Sequence, residues 1–137
     1  MVQSQATSNP SAIAQQAAIA ALRGERAPME QMVAEFAARR TLMVEGLASI
    51  PGIRCRMPEG AFYAFPSVEG LIGKKAGEHV LEDDMAVASF FLEQARSAVV
   101  PGSAFGAAGY VRLSYATSQA LIREGLTRIA AAVATLR

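Results

Sequence analysis

One seven-residue run, Tyr110-Val111-Arg112-Leu113-Ser114-Tyr115-Ala116, constrains this chain more than any other stretch. Strand side chains alternate between faces. Val111, Leu113 and Tyr115 therefore share one side, and Tyr110, Arg112, Ser114 and Ala116 share the other. The first side is apolar and needs a core to pack on. The second is polar and carries a lone guanidinium at its centre, which suits a strand lining a cleft. The turn-rich stretch Pro101–Gly109 precedes this strand, and Thr117-Ser118 follows it as a helix cap.

The rest of the chain reads as a platform for that strand. Thr7-Ser8-Asn9-Pro10 predicts a helix start, with Asn9 as cap and Pro10 in the first turn. Ile13, Ala17, Ala18 and Ala21 fall on one face of this helix, and Gly24 ends it. So alanine-rich a face suits close approach to another backbone. Pro28 opens a second helix that runs to Ile50 and stops at Pro51-Gly52. At about 1.5 Å per residue it spans roughly 34 Å. The pattern alone leaves two readings open, a bridge between two bodies or one long amphipathic core helix.

Ile53–Met57 and Ala61–Phe65 are strand-like runs around Pro58-Glu59-Gly60, which predicts a hairpin. From Ser67 to Leu81 the pattern dissolves around Gly70, Gly73 and Gly77, and predicts an exposed loop. Glu82, Asp83 and Asp84 open a third helix that ends near Arg96, the charge order the helix dipole favours. Its apolar side is Val87, Phe90, Phe91 and Ala95. Ala98–Val100 predicts a short strand. Thr117 or Ser118 caps a last helix with the stripe Ile122, Leu126, Ile129, Val133 and Leu136, and with Glu124 and Arg128 paired at i,i+4. Helices segregated from sequence-adjacent strands predict a two-layer α+β arrangement, a short and mostly antiparallel sheet covered by helices.

At 137 residues the chain can bury a real core. Its formal net charge of +1 gives no footing for nucleic acid or an anionic membrane surface. Met1–Leu22 carries no charge, but glutamines, Asn9 and Pro10 interrupt it and no basic region precedes it, so neither a signal peptide nor a membrane span is expected. The single cysteine, Cys55, points to a reduced, cytoplasmic setting. Hydrophobic residues make up 52% and the mean hydropathy is +0.24. Such a composition fits a chain part of whose apolar surface belongs against something else, and implies self-association or poor solubility in isolation.

Few residues carry the pattern of a reactive site. His79 and Asp83 stand at i,i+4, but a zinc site wants three or four ligands, so a surface histidine is the better reading and no metal is expected. Cys55 lies between Arg54 and Arg56, which could lower a thiol pKa; a buried strand cysteine is the blander reading and the better bet. Gly102–Gly109 has the look of a phosphate cradle but matches neither the dinucleotide fingerprint nor the P-loop and precedes a strand. Arg112 offers parallel N–H donors that match a carboxylate bidentately at any pH. Pattern alone leaves it equally a structural arginine.

Three motifs add to this. Ala98-Val99-Val100-Pro101-Gly102-Ser103-Ala104-Phe105-Gly106, with Tyr110-Val111-Arg112-Leu113-Ser114-Tyr115-Ala116-Thr117-Ser118, resembles the C-terminal signature of class I aminotransferases. These are pyridoxal-phosphate (PLP) enzymes of the aspartate aminotransferase superfamily. Pro58-Glu59-Gly60-Ala61-Phe62-Tyr63 resembles the family's G-A-F-Y segment, and Gln3–Pro10 resembles its stretch soon after the cofactor lysine. The resemblance implies that Arg112 binds the α-carboxylate of the amino-acid or 2-oxo-acid substrate, that Phe62 lines the pocket, and that Ser8 and Asn9 lie near the interface of a homodimer and the neighbouring subunit's cofactor site. It further implies that residues 1–24 are the tail of the large PLP-binding domain, 25–50 the long connecting helix, and 51–137 the small domain that closes over substrate.

The same resemblance places the Schiff-base lysine, the aspartate for the pyridine nitrogen and most phosphate ligands upstream of the Gln3 motif, where this sequence has no counterpart. Lys74 and Lys75 stand in a glycine-rich loop, in the wrong motif order. The expectation is a C-terminal portion of an aminotransferase that holds a carboxylate clamp but by itself neither binds PLP nor transaminates. A non-catalytic carboxylate-binding or dimerisation module, and a related PLP lyase or synthase, are the alternatives.

Overall fold

The computed structural model describes residues 2–7 and 9–137. The chain divides into two compact units, Met1–Val33 and Ala34–Arg137. The first holds α1 (Val2–Ala6), α2 (Ala12–Arg23) and the opening of α3 (Ala27–Ala48). α2 starts two residues later than the sequence suggested. Ser11, not Asn9, is its cap, with Oγ accepting the Ala14 N–H at 3.2 Å. Pro10 stays outside the helix, and its carbonyl accepts the Gln15 side-chain amide instead. No residue of α2 is buried, and Ile13 and Leu22 are among the most exposed large apolar side chains.

The second unit is α+β. A three-stranded antiparallel sheet has the order β1 (Tyr63–Ala64), β5 (Val111–Ser114), β4 (Val100–Pro101), with β5 central. Tyr63 pairs with Ser114 and Ala64 with Leu113 on one side; Val100 pairs with Arg112 and Pro101 with Val111 on the other. The alternation of β5 is as expected. Val111, Leu113 and Tyr115 are buried, whereas Arg112 is half-buried and Ser114 exposed.

Helices cover the apolar side. α3, α4 (Asp84–Ala95) and α5 (Gln119–Val133) contribute Met43, Leu47, Val87, Phe90, Phe91, Ile122, Ile129 and Val133 to one core with Ala64, Val111, Leu113 and Tyr115. Each fully buried large apolar side chain stabilises the fold by about 1.5–3 kcal/mol. Asp83 caps α4 by accepting the Ala86 N–H at 2.8 Å, and Ser118 caps α5 through Leu121. The expected pair on α5 forms, Arg128 to Glu124 at 3.2 Å, on a half-exposed face where it contributes little. α5 is also tied to α3: Glu35 accepts from Arg39 at 2.7 Å and from the Gln119 amide at 3.2 Å, and these bonds hold its carboxyl below the usual range.

Two expectations are corrected. Ile53–Met57 and Ala61–Phe65 do not form a hairpin with each other. β1 pairs with β5 instead, because that pairing sets Ala64 beside Leu113 in the core. Arg54 pairs with Ser67, which also bridges Tyr110, so extended chain continues past Pro66 rather than stopping there. The stretch from Ser67 to Leu81 is not simply an exposed loop. Val68 and Leu71 are fully buried anchors, and β2 (Lys75–Ala76) and β3 (His79–Val80) form a small hairpin turning at Gly77, whose φ is 63°.

Candidate functional site

The polar side of β5 gathers aromatic rings around Arg112. Tyr63 lies diagonally across from it, since its register partner is Ser114 two residues along. Its ring centroid is 4.5 Å from the guanidinium carbon. Phe105, from the turn after β4, approaches to 4.4 Å. Phe65 stacks on Tyr110 at 5.3 Å and meets Phe105 edge-on at 6.4 Å, so the cluster continues behind these two rings. A guanidinium attracted to aromatic faces is held without spending its N–H donors. Among the described residues, no ion pair or hydrogen bond engages the Arg112 side chain. Its donors are left for an oxygen ligand. A cavity of about 200 Å³ lies beside it, lined by Tyr63, Ala98, Val99, Val100, Arg112 and Ser114.

Phe62 sits next to this cavity wall in sequence. It is 41% exposed and packs on Tyr63 at 4.5 Å and on Phe36 at 6.4 Å. Tyr115 secures the turn that carries it. The Tyr115 N–H donates to the Phe62 carbonyl at 2.9 Å and its hydroxyl to the Ala61 carbonyl at 3.0 Å. Ala61 needs that support, because its φ of 59° is left-handed and strained for a residue with a Cβ.

Phe105 is supported from a different side. The stretch Pro101–Gly109 contains a 3-10 turn, Gly102–Phe105, closed by Gly106 at φ 74°. The Ser103 N–H donates to Asp84 Oδ2 at 2.7 Å. Asp84 is only 2% exposed. Burial pushes its carboxyl pKa up, but hydrogen bonds from Ser103 and from the Gly109 amide outweigh that and hold it below the usual carboxylate range. Gly102 has no room for a Cβ, which would come within 2.8 Å of the Tyr110 Cβ and carbonyl oxygen.

Of the other expected positions, Ser8 lies outside the described residues, and Asn9 is exposed in the first unit. His79 is exposed on β3, and among the described residues no three His, Cys, Asp or Glu side chains stand close enough to hold a metal. Cys55 is half-buried, and desolvation raises its thiol pKa, which agrees with the blander reading of this cysteine and not with activation by Arg54 and Arg56. Those arginines turn outward; Arg54 pairs with Glu69.

The residues present do not fit PLP by themselves. Lys74 and Lys75 belong to the β2–β3 hairpin, a sheet separate from that of Arg112. Several amides of the glycine-rich turn are already engaged: Gly102 on Tyr110, Ser103 on Asp84, Gly106 on Ser103, Ala107 on Gly102. The cradle-like loop binds an internal carboxylate rather than a phosphate. Sequence reasoning missed Tyr63, Phe105 and Asp84 as partners of the site. Strand alternation could have placed Tyr63 on the Arg112 side; nothing in the sequence pairs Asp84 with Ser103.

Known proteins share both the motifs and this architecture. The family model described as aminotransferase class I and II matches residues 1–129. An aspartate aminotransferase of Rhizobium meliloti (strain 1021) is 48% identical over 134 residues, covering 96% of this chain and 32% of that protein. The crystal structure of an aspartate aminotransferase from Rhizobium meliloti superposes with a TM-score of 0.92 at 47% identity, over 99% of this chain and 34% of that one. An aspartate aminotransferase from Thermus thermophilus, solved with maleate, gives a TM-score of 0.79 at 38% identity, over 96% of this chain and 32% of that one. The chain thus spans about a third of the length of the curated relatives it matches. With the motifs, the fold and the family match in agreement over nearly its whole length, this chain belongs to the class I and II aminotransferases.

Proposed function

We propose that this chain supplies the carboxylate-binding part of a PLP-dependent aminotransferase that moves an amino group between an amino acid and a 2-oxo acid. Arg112 receives the substrate α-carboxylate, and Phe62 lines the pocket. The observation that carries this reading is the state of Arg112: packed on Tyr63 and Phe105, bordering a cavity, with no acid engaged among the described residues. The Thermus thermophilus relative was solved with maleate, a dicarboxylate, which adds support. In this reading residues 1–24 belong to the large domain, 25–50 to the connecting helix and 51–137 to the closing domain. Ser8 and Asn9 lie near the partner's site in a homodimer, and the enzyme works in the cytoplasm. The cofactor is held by residues outside this stretch, so the chain alone does not transaminate.

The test is a titration of the chain with maleate and with 2-oxoglutarate, followed by NMR. Saturable shifts at Arg112 that vanish in Arg112→Ala are expected; shifts that survive the substitution would sink the assignment. In parallel, PLP is added and absorbance followed. A borohydride-trappable band at one lysine would overturn the inactivity of the chain.

A second reading, a dimerisation module, is favoured by α2, whose apolar residues Ile13 and Leu22 are 84% and 87% exposed. Sedimentation of the chain, with Ile13→Glu and Leu22→Glu as the comparison, decides it: a dimer broken by these changes supports the module, and a monomer refutes it.

A further inference from the structure

Asp84 has more bonding than the helix it starts requires. α4 is already capped by Asp83, whose carboxylate takes the Ala86 amide. Asp84, one residue on, is buried and directs its own carboxylate across 19 residues of sequence to the Ser103 amide. No ion pair among the described residues neutralises it. A buried carboxylate held by an N–H donor and not by a cation is strongly directional, because leaving its lone pairs unmet is costly. Its donor, Ser103, opens one short turn that runs on to Gly109. Between them stands Phe105, the ring that packs on Arg112. Gly102, the residue before Ser103, is jammed against Tyr110. The segment is thus pinned at its start by Asp84 and by the Tyr110 carbonyl, which accepts the Gly102 N–H at 2.7 Å.

We propose that Asp84 is a positioning residue for the carboxylate clamp: by gripping the Ser103 amide it fixes Phe105 against Arg112, and so fixes the direction in which the guanidinium presents its donors. The inference rests on the reading of Arg112 as a carboxylate ligand, but its central claim concerns the position of Phe105 and stands or falls separately. Asp84 touches no substrate in this scheme. It acts through a main-chain segment and one ring.

The experiment uses the whole chain, with ¹⁵N NMR of the Arg112 Nε–Hε group, whose proton is shifted by the nearby rings, and maleate as the probe. Phe105→Leu gives the resonance position with that ring removed, at a residue half exposed and therefore tolerant of change. Asp84→Asn is expected to move the Arg112 resonance towards the Phe105→Leu position and to weaken maleate binding about tenfold. Near-UV circular dichroism reports whether the core is retained. An Asp84→Asn chain that melts earlier but keeps the wild-type Arg112 resonance would reduce Asp84 to a structural role and overturn the proposal. If wild type shows no Arg112-dependent maleate binding, the ligand reading fails, and the resonance comparison alone decides the inference. If Asp84→Asn does not fold, hydrogen exchange of wild type decides. Protection of the Ser103 amide matching that of α4 supports the grip, and exchange at the rate of a free loop amide refutes it.

Discussion

The Tyr115 hydroxyl donates to the Ala61 carbonyl at 3.0 Å, joining residues 54 apart in sequence. Tyr115 lies on the buried side of the chain just past β5, opposite Arg112, so one short segment holds the candidate ligand with one face and the turn bearing Phe62 with the other. Tyr115→Phe should cost about 0.5–1.5 kcal/mol, the net contribution of one hydrogen bond, with the ring still packed. Ala61→Gly should act in the opposite direction by up to about 1 kcal/mol, since glycine accepts the left-handed backbone without strain. Urea denaturation of both variants checks the pair. Equal destabilisation by the two would show that the turn is not strained.

Asp84 predicts a pH dependence. Its folded-state pKa is depressed, so its contribution to stability is full above the ordinary carboxylate pKa and is lost as pH falls through the folded value. Wild type should therefore lose stability on acidification more steeply than Asp84→Asn, and the two curves should converge at the acid end. Asp83 beside it and Glu69 against Gly109 are further carboxylates nearby, which is why the difference between the curves is the quantity to read. Thermal melts from pH 7 downwards measure it; parallel curves would show that the Asp84 carboxyl is not held by these bonds.

Gly102→Ala should destabilise the chain by about 1–3 kcal/mol, the usual cost of overpacking. The added methyl meets Tyr110, and the obstruction is partly main chain, which cannot rotate away. Because the same segment carries Phe105, the variant should also lose ring shift at Arg112. Gly106→Ala meets nothing nearby and serves as contrast, its cost arising from φ alone.

Cys55 should alkylate slowly. Burial raises its thiol pKa, which lowers the thiolate fraction at any pH near neutrality. Iodoacetamide modification should run slower than for a free cysteine peptide at pH 8, with its midpoint moved to higher pH. A rate above that of the peptide would mean that Arg54 and Arg56 activate the thiol after all.

Local pattern made much of this fold legible. The apolar sides of α4 and α5 and the two-faced character of β5 are periodicities, and periodicity is a property of neighbours in sequence. Of the two cap residues the sequence offers, Thr117 and Ser118, the structure uses Ser118. Pairing was not legible in the same way. Ile53–Met57 and Ala61–Phe65 look like natural partners because they are close in sequence, yet Ala64 pairs with Leu113, far along the chain, and is buried there. The loop from Ser67 hid Val68 and Leu71, two isolated apolar residues with no period to announce them. For the candidate site, Arg112 and Phe62 stood out through motif resemblance, whereas the Asp84–Ser103 contact depends on where two elements meet and leaves no trace in either.

The central place of β5 has a consequence for how the chain selects its own registry. A slip of one residue against either neighbour would turn Arg112 inward and Leu113 outward, since successive side chains face opposite sides. That would put an unpaired guanidinium in the core, an error far costlier than losing one apolar contact. The charge proposed to hold a ligand thus also acts as a proofreader of strand alignment. Arg112→Leu, which satisfies both faces equally, would remove that safeguard along with the binding group.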